Sequence, residues 1–308
     1  MSQKALTVGT EYLERKITGT GTEENPWIIG LTEDDTDENM FQNFLDIVYT
    51  SNAYVKLARD IDVSQSKTYR EGLGNYITIN ARKIYADESK AAIKNLITKT
   101  HLFDILNGAA NTIMNNIQFL NCIVNDAISS VLQSKYDTND VSYCDFSLLV
   151  RGTGNSVTLC NSSTNAVFSH CSIDIKYVNA FLGNSGICSL KNCQINFVGN
   201  AIQFNNGTTI FNGLTKCGIT GAINFPNGTA AGRFSSKCNY CYFALDINTA
   251  TQFSAIFDKA TGSYVNTNCY YCINYGENVS TLDESSYPPI TSDQLKSKEY
   301  LYEIGFLP

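Results

Sequence analysis

The chain has 308 residues, a formal net charge of −7 and a pI near 4.9; charged residues make up only 17% and hydrophobic ones 43%. The acidic balance excludes a nucleic-acid binder, which needs a basic stripe to displace counterions, and no run is apolar enough to span a bilayer. Asn, Ser, Thr and Gly fill positions that charge occupies on helical surfaces, which favours strands and turns.

In chain order, the opening MSQKALTVGTEYLERK shows no apolar h-region and no small-residue cleavage site. The expectation is synthesis in a bacterial cytoplasm without a signal peptide, with the 11 cysteines as reduced thiols. Residues 33–48 begin with acids, which complement a helix N-terminus, and then place Met40, Phe41, Phe44, Leu45 and Val48 at helical spacing. A short amphipathic helix plugging the open end of a solenoid is predicted. Tyr54–Ala58, Ile77–Ile79 and Lys83–Tyr85 read as the first strands.

A repeat then dominates the chain: an apolar residue, two variable residues, Cys, one variable residue and another apolar residue. Phe119-Leu-Asn-Cys122-Ile-Val124, Val141-Ser-Tyr-Cys144-Asp-Phe146 and Phe168-Ser-His-Cys171-Ser-Ile173 fit it. So do Leu190-Lys-Asn-Cys193-Gln-Ile195, Leu214-Thr-Lys-Cys217-Gly-Ile219 and Cys238-Asn-Tyr-Cys241-Tyr-Phe243, with Cys269-Tyr-Tyr-Cys272 degenerate and Ile93-Lys-Asn-Leu96 an early copy. A period near 22–24 residues with insertions suits a β-solenoid coil. The apolar-x-x-Cys spacing breaks strict alternation, and a bend between the two would return both to the interior. Gly-Asn and Asn-Gly pairs, among them Gly154-Asn155, Gly199-Asn200 and Asn212-Gly213, are expected to mark corners.

At the end, Thr291 reads as a helix cap and Gly305 as a stop, with Leu295, Leu301 and Ile304 placed to seal the last coil. The predicted fold is all-β, a right-handed parallel β-helix with an N-terminal helical cap and a short C-terminal helix. The expected division is 1–65 for the N-terminal segment and cap, 66–288 for the β-helix and 289–308 for the C-terminal cap.

Residues able to carry chemistry are few. Between Phe146 and Leu245 the only carboxylate is Asp174. Glycosidic cleavage needs two carboxyls about 5–10 Å apart, and Asp145, one coil away, is the candidate catalytic partner; ordinary solvated residues are the preferred reading of both. Of the two histidines, His101 and His170, the second falls beside inward Cys171 and should face out. Cys238, Cys241, Cys269 and Cys272 form two CxxC pairs that would suit tetrahedral zinc, but Cys241 is in register with unpaired repeat cysteines, so a cysteine core ladder is preferred and no metal or cofactor is expected. Tyr240, Tyr242, Tyr270 and Tyr271 are candidate sugar-stacking residues, with ordinary strand tyrosines preferred.

Gly19-Thr-Gly-Thr-Glu-Glu-Asn-Pro-Trp-Ile-Ile29, the acidic helix and Ala53-Tyr-Val-Lys-Leu-Ala-Arg-Asp-Ile-Asp62 resemble the opening of pectate-lyase-like β-helix proteins of bacterial surfaces and bacteriophage particles. Residues 292–306 are similar to the closing segment of such proteins. The resemblance implies the fold and a surface-exposed role and transfers no catalytic residue. Without a signal or anchor in view, the chain looks like a phage virion component: a head fibre, tail spike or other appendage at the virion surface. Other virion proteins are the expected partners, with a host-surface glycan as candidate ligand and a homotrimer as candidate assembly; neither nucleic acid nor membrane insertion is expected. A glycan-degrading depolymerase or lyase of the same fold and a bacterial surface adhesin are the alternatives.

Overall fold

In a computed structural model the chain is a right-handed parallel β-solenoid of about seven turns, with all its sheets parallel. The structure describes residues 17–105, 111–127, 130–134, 139–154, 156–162, 166–182, 188–201, 208–211, 213–225, 230–235, 238–249, 253–255, 266–267, 270–275 and 291–303.

Three faces wrap one core. Face A stacks ten strands, from Trp27–Ile29 and Tyr54–Leu57 to Cys238–Asn239 and Asn266–Thr267. Face B runs from Ile61–Asp62 through Ile117–Ala127, Asp145–Gly152, Ser172–Leu182, Gln194–Ala201, Gly218–Phe225 and Tyr242–Thr249 to Tyr270–Tyr275. The third face holds Phe103–Ile105, Ser130–Ser134 and Ser156–Ser162 in the earlier coils and Thr208–Phe211 and Ala230–Ser235 in the later ones. Period-two alternation sends every second side chain inward. On face A, Val141, Phe168, Leu190, Leu214 and Cys238 form one inward row; on face B, Phe119, Phe146, Ile173, Ile195, Ile219 and Phe243 form another. All are buried.

The corner joining face A to face B repeats a single device. The residue before each repeat cysteine takes a left-handed backbone: Tyr143 (φ 56°), His170 (55°), Asn192 (53°), Lys216 (52°) and Tyr240 (53°). This reverses the alternation for one residue, so the apolar residue and the cysteine three places later both point inward. Left-handed backbone costs a non-glycine residue roughly 1–2 kcal/mol, and two sets of bonds offset it. The amide of each left-handed residue donates to the next coil: Tyr143 to the Ser169 carbonyl at 2.9 Å, His170 to Lys191 at 2.9 Å, Asn192 to Thr215 at 2.9 Å and Lys216 to Asn239 at 2.8 Å. The buried thiol lies within hydrogen-bond reach of the carbonyl two residues back: Cys171 of Ser169, Cys193 of Lys191 and Cys217 of Thr215 at 3.3 Å each, and Cys241 of Asn239 at 3.4 Å. Cys171, Cys193 and Cys217 also reach a carbonyl of the preceding coil: Val141 at 3.3 Å, Phe168 at 3.5 Å and Leu190 at 3.4 Å. The carbonyl that takes the amide of the left-handed residue thus also faces the thiol.

The repeat template mixes two corners. Cys122 stacks on Leu96 rather than heading the row of Cys144, because Ile93 pairs with Phe119, Ile97 with Ile123, and Asn95 and Asn121 are both left-handed. Ile93-Lys-Asn-Leu96 is therefore a true copy of the Cys122 unit at a second bend inside face B. The residue one coil before Cys144 is Ile117, which follows left-handed Asn116; the Asn116 amide donates to the Ser142 carbonyl. Among the described residues no glycine pair makes these corners, although Gly154 (φ 89°) turns between the strands Asp145–Gly152 and Ser156–Ser162. Gly199-Asn200 lies inside the strand Gln194–Ala201, where a Cβ on Gly199 would meet the Tyr177 carbonyl at 2.7 Å, and Gly213 opens the strand Gly213–Thr215. Asn107-Gly108, Gly183-Asn184, Asn206-Gly207 and Asn227-Gly228 lie outside the described residues, as do Asn155 and Asn212.

Helix α1 (Asp37–Val48) closes the first coil. Thr36 caps it by accepting from the Asn39 amide, and Met40, Phe41, Phe44, Ile47 and Val48 are buried, with Leu45 packed at the edge. The amides of Asn80 and Ala81 donate to the Val48 carbonyl at the helix end. The Glu38 carboxylate clasps the turn after Gln65, accepting from the Ser66 hydroxyl at 2.7 Å and the amides of Lys67 and Thr68. Burial opposes its charge, but these hydrogen bonds prevail and hold its pKa below the usual carboxylate range. At the other end, Thr291 forms a capping box with Gln294, α2 (Ser292–Lys296) breaks at extended Ser297, and α3 (Lys298–Glu303) follows. The break arises because the Ser297 hydroxyl accepts from the Tyr300 amide and starts a new helix. Leu301 is half-buried; Ile304 and the side chain of Leu295 lie outside the described residues.

The corner device predicts that Asn192→Gly keeps or raises stability, while Asn192→Val lowers it by about 1–2 kcal/mol, read by urea unfolding. Equal stability of the two variants would show that this residue is not left-handed.

Candidate functional site

The outer surface of face B brings the sequence candidates together. Asp145 and Asp174 face outward on adjacent coils: Asp145 pairs with Ser172, and Ser147 with Asp174. From strand spacing and rise, their Cα atoms are roughly 8 Å apart, within range for a carboxylate pair.

Neither carboxylate is free, however. Lys90 Nζ and Gln118 Nε2 both sit 2.7 Å from Asp145 Oδ2. Lys90 is itself left-handed (φ 60°), and its side chain reaches across two coils. Asn196 Nδ2 donates to Asp174 Oδ1 at 2.8 Å, and the Thr220 hydroxyl donates to Asn196 Oδ1 at 3.2 Å. A general acid needs its proton-bearing oxygen turned toward a leaving group. Here one oxygen of each carboxylate, Asp145 Oδ2 and Asp174 Oδ1, ties one coil to the next.

The candidate tyrosines divide similarly. Tyr242 lies along the solenoid axis over Gly218 and donates from its hydroxyl to Gln194 Oε1 at 2.7 Å, two coils away. Gly218 has no room for a side chain: a Cβ would sit 2.3 Å from the Tyr242 ring. Burial pushes the Tyr242 phenol up. Tyr240 stands half-exposed at the corner. Tyr270 and Tyr271 pair in register with Tyr242 and Phe243; their side chains lie outside the described residues.

Tyr143 and His170 stack at the corner with centroids 4.7 Å apart and planes 7° from parallel, and His170 Nε2 is 3.0 Å from Asn192 Nδ2. His170 faces out, as its place beside Cys171 predicts. Each ring covers one face of the other.

The cysteines form a core ladder. Nine of them are free and buried: 122, 144, 160, 171, 188, 193, 217, 238 and 241. Burial pushes Cys122, Cys144 and Cys160 up to about 12, so these thiols stay protonated at neutral pH. Cys238 lies inward on face A and Cys241 inward past the corner. Cys269 lies outside the described residues, and only the backbone of Cys272 is placed, opposite Ala244. Among the described residues no group of three or more His, Cys, Asp or Glu side chains is arranged to hold a metal ion.

One polar cluster escapes the repeat altogether. His101 is buried at 6% exposure, its ring 5.1 Å from Tyr76 and its Nδ1 3.3 Å from the Ser130 carbonyl. A carbonyl only accepts, so Nδ1 carries the proton. Asp104 is buried nearby, and the Ser130 hydroxyl is buried without a hydrogen-bond partner among the described residues. The residue types match a hydrolytic triad, but the imidazole addresses the backbone of Ser130 rather than its hydroxyl. The arrangement reads as a structural anchor. Burial lowers the His101 pKa, partly countered by the Ser130 carbonyl and by Asp104.

The sign of the resulting pH dependence is fixed. The unfolded chain binds a proton at His101 near its ordinary value while the folded chain resists it, so stability falls as pH drops through about 6.5. Glu38 and Asp62, both held low, lose their contribution only below about pH 4.5. His101→Gln should flatten the stability profile between pH 7 and 5 and leave the lower limb intact. An unchanged slope in that window would show that His101 is not buried as described.

No family model, no curated protein and no solved structure matches this chain.

Proposed function

We propose that this protein is a non-enzymatic structural component of a bacteriophage virion, a rigid capped β-helix displayed as a head fibre, tail spike or other appendage. The observation that carries the non-enzymatic part is the state of face B: Asp145, Asp174, Gln194 and Asn196 hydrogen-bond across coils instead of converging on a cleft with a free acid. Such bonds stiffen a rod along its axis, which suits display at a surface. The virion assignment is supported by the resemblance of residues 19–62 and 292–306 to phage and bacterial-surface β-helix proteins. Mass spectrometry of gradient-purified phage particles tests it: the polypeptide should be present at fixed copy number. Its absence from particles, with presence in host cells, would overturn the assignment.

A glycan-cleaving reading has one observation in its favour, the shared outer face of Asp145 and Asp174. It requires Asp145 to release Lys90 and Gln118. On this reading Asp174→Asn would abolish glycan release; on the display reading there is no release to abolish.

A further inference from the structure

The inward cysteines at the corner between faces A and B form a continuous row. Cys144, Cys171, Cys193, Cys217 and Cys241 hold one register position on successive coils, because Asp145 pairs with Ser172, Ser172 with Gln194, Gln194 with Gly218 and Gly218 with Tyr242. Backbone bonds fix the stacking: the Gln194 amide donates to the Cys171 carbonyl at 2.9 Å and the Gly218 amide to the Cys193 carbonyl at 3.0 Å. These thiols are buried, and none is in a disulfide.

Contacts along the row are unequal. Cys193 sits between two thiols, with Cys171 and Cys217 both placed to donate to its sulfur, and Cys217 is also in contact with Cys241. Cys144, at the end of the row, faces the Met114 and Ser142 carbonyls. The hydrogen bonds from Cys171 and Cys217 favour a thiolate at Cys193 and hold it below the ordinary thiol range, against the opposing effect of burial. The same contacts, together with burial, push Cys171 and Cys217 up. At Cys122, Cys144 and Cys160 burial leads and keeps the proton on. The thiolate is the nucleophile in oxidation.

We propose that this row is an oxidation site for a hydroperoxide: Cys193 reacts first and closes a disulfide with Cys171, after which Cys217 and Cys241 form a second. The Cys193 sulfur attacks one peroxide oxygen, the O–O bond breaks, and the thiol proton leaves with the other oxygen as water. The Cys171 sulfur then attacks the Cys193 sulfenic acid; an S–S bond forms, and the hydroxyl departs with the Cys171 proton as a second water. The sulfur pair gives up two electrons, and hydrogen peroxide takes them.

Strand spacing sets Cα atoms on adjacent coils about 4.8 Å apart, inside the roughly 4.4–6.8 Å that a disulfide spans. The Cys171 contact is the stronger of the two at Cys193, and pairing there leaves Cys217 and Cys241 together. The Ser169 and Lys191 carbonyls lose the thiols but keep the Tyr143 and His170 amides, so the corner persists after oxidation. A buried row admits a small uncharged oxidant in preference to a bulky disulfide. The inference goes beyond the display role and stands without it, because it concerns the isolated chain whatever particle carries it.

The test is a peptide map of the purified full chain after treatment with hydrogen peroxide, with remaining thiols alkylated in denaturant and the digest left unreduced. A Cys171–Cys193 cross-linked peptide should appear and be lost on reduction with dithiothreitol. Cys193 should oxidise roughly tenfold or more faster than Cys122, Cys144 and Cys160. In urea that preference should vanish, because the folded row creates it. In Cys171→Ala, Cys193 should stop at the sulfenic acid and be captured by dimedone; should that variant fail to fold, the map of the unaltered chain decides. Equal oxidation of the buried thiols, a preference that persists in urea, a bond from Cys193 to any other cysteine, or survival of the Cys193 thiol would overturn the proposal. Its failure would leave the particle measurement untouched.

Discussion

At each corner between faces A and B, one backbone carbonyl accepts two hydrogen bonds, and the rest of the solenoid depends on it. The carbonyl two residues before each cysteine takes the thiol of its own coil and the amide of the left-handed residue one coil below. A carbonyl has two lone pairs; the amide takes one and the thiol, which also reaches a carbonyl of the preceding coil, faces the other, so the polar groups have partners where the chain turns in the interior. Cysteine suits this position because it is small, apolar and a weak donor. Serine would fit the space but favours a wetter site, and valine would fill it without donating. The left-handed residue outside is then free to be Tyr, His, Asn or Lys, since only its backbone is prescribed.

From that corner the outer surface follows. Strands leave it in register, so like positions stack along the axis and outward side chains meet their counterparts one or two coils away. On face B they are complementary and lock together: Lys90 and Gln118 with Asp145, Asn196 with Asp174, Tyr242 with Gln194. On face A the central outward rows carry Val167, Ser189 and Gly213, then Lys191, Thr215 and Asn239.

The repeat and its bend were legible because a spacing of three between an apolar residue and an inward cysteine is incompatible with a plain strand. The register of Cys122 was not, because Phe119-Leu-Asn-Cys122 has the same local pattern as the corner units; only its pairing with Ile93-Lys-Asn-Leu96 places it at a second bend. Corners were expected at Gly-Asn pairs: Gly154 does turn with a φ of 89° between two strands and most other pairs lie outside the described residues, while the corner between faces A and B uses single non-glycine residues whose left-handed backbone is sustained by inter-coil bonds that no local rule reports. The helical cap was readable from the spacing of Phe41, Phe44 and Val48. The engagement of Asp145 was not, since Lys90 lies 55 residues earlier. His101 and Asp104 fall outside the repeat, so nothing in the pattern linked them to Ser130.

Native-state hydrogen exchange tests the corner most directly. The side chains of Tyr143, His170 and Lys216 are exposed to water, while their amides donate to the next coil. These amides should exchange as slowly as those of the strand interiors, opening only with the coils themselves. Rapid exchange at these residues, alongside protected amides in the flanking strands, would contradict the account, because the corner would then be a solvated loop and the thiol row a mere consequence of packing.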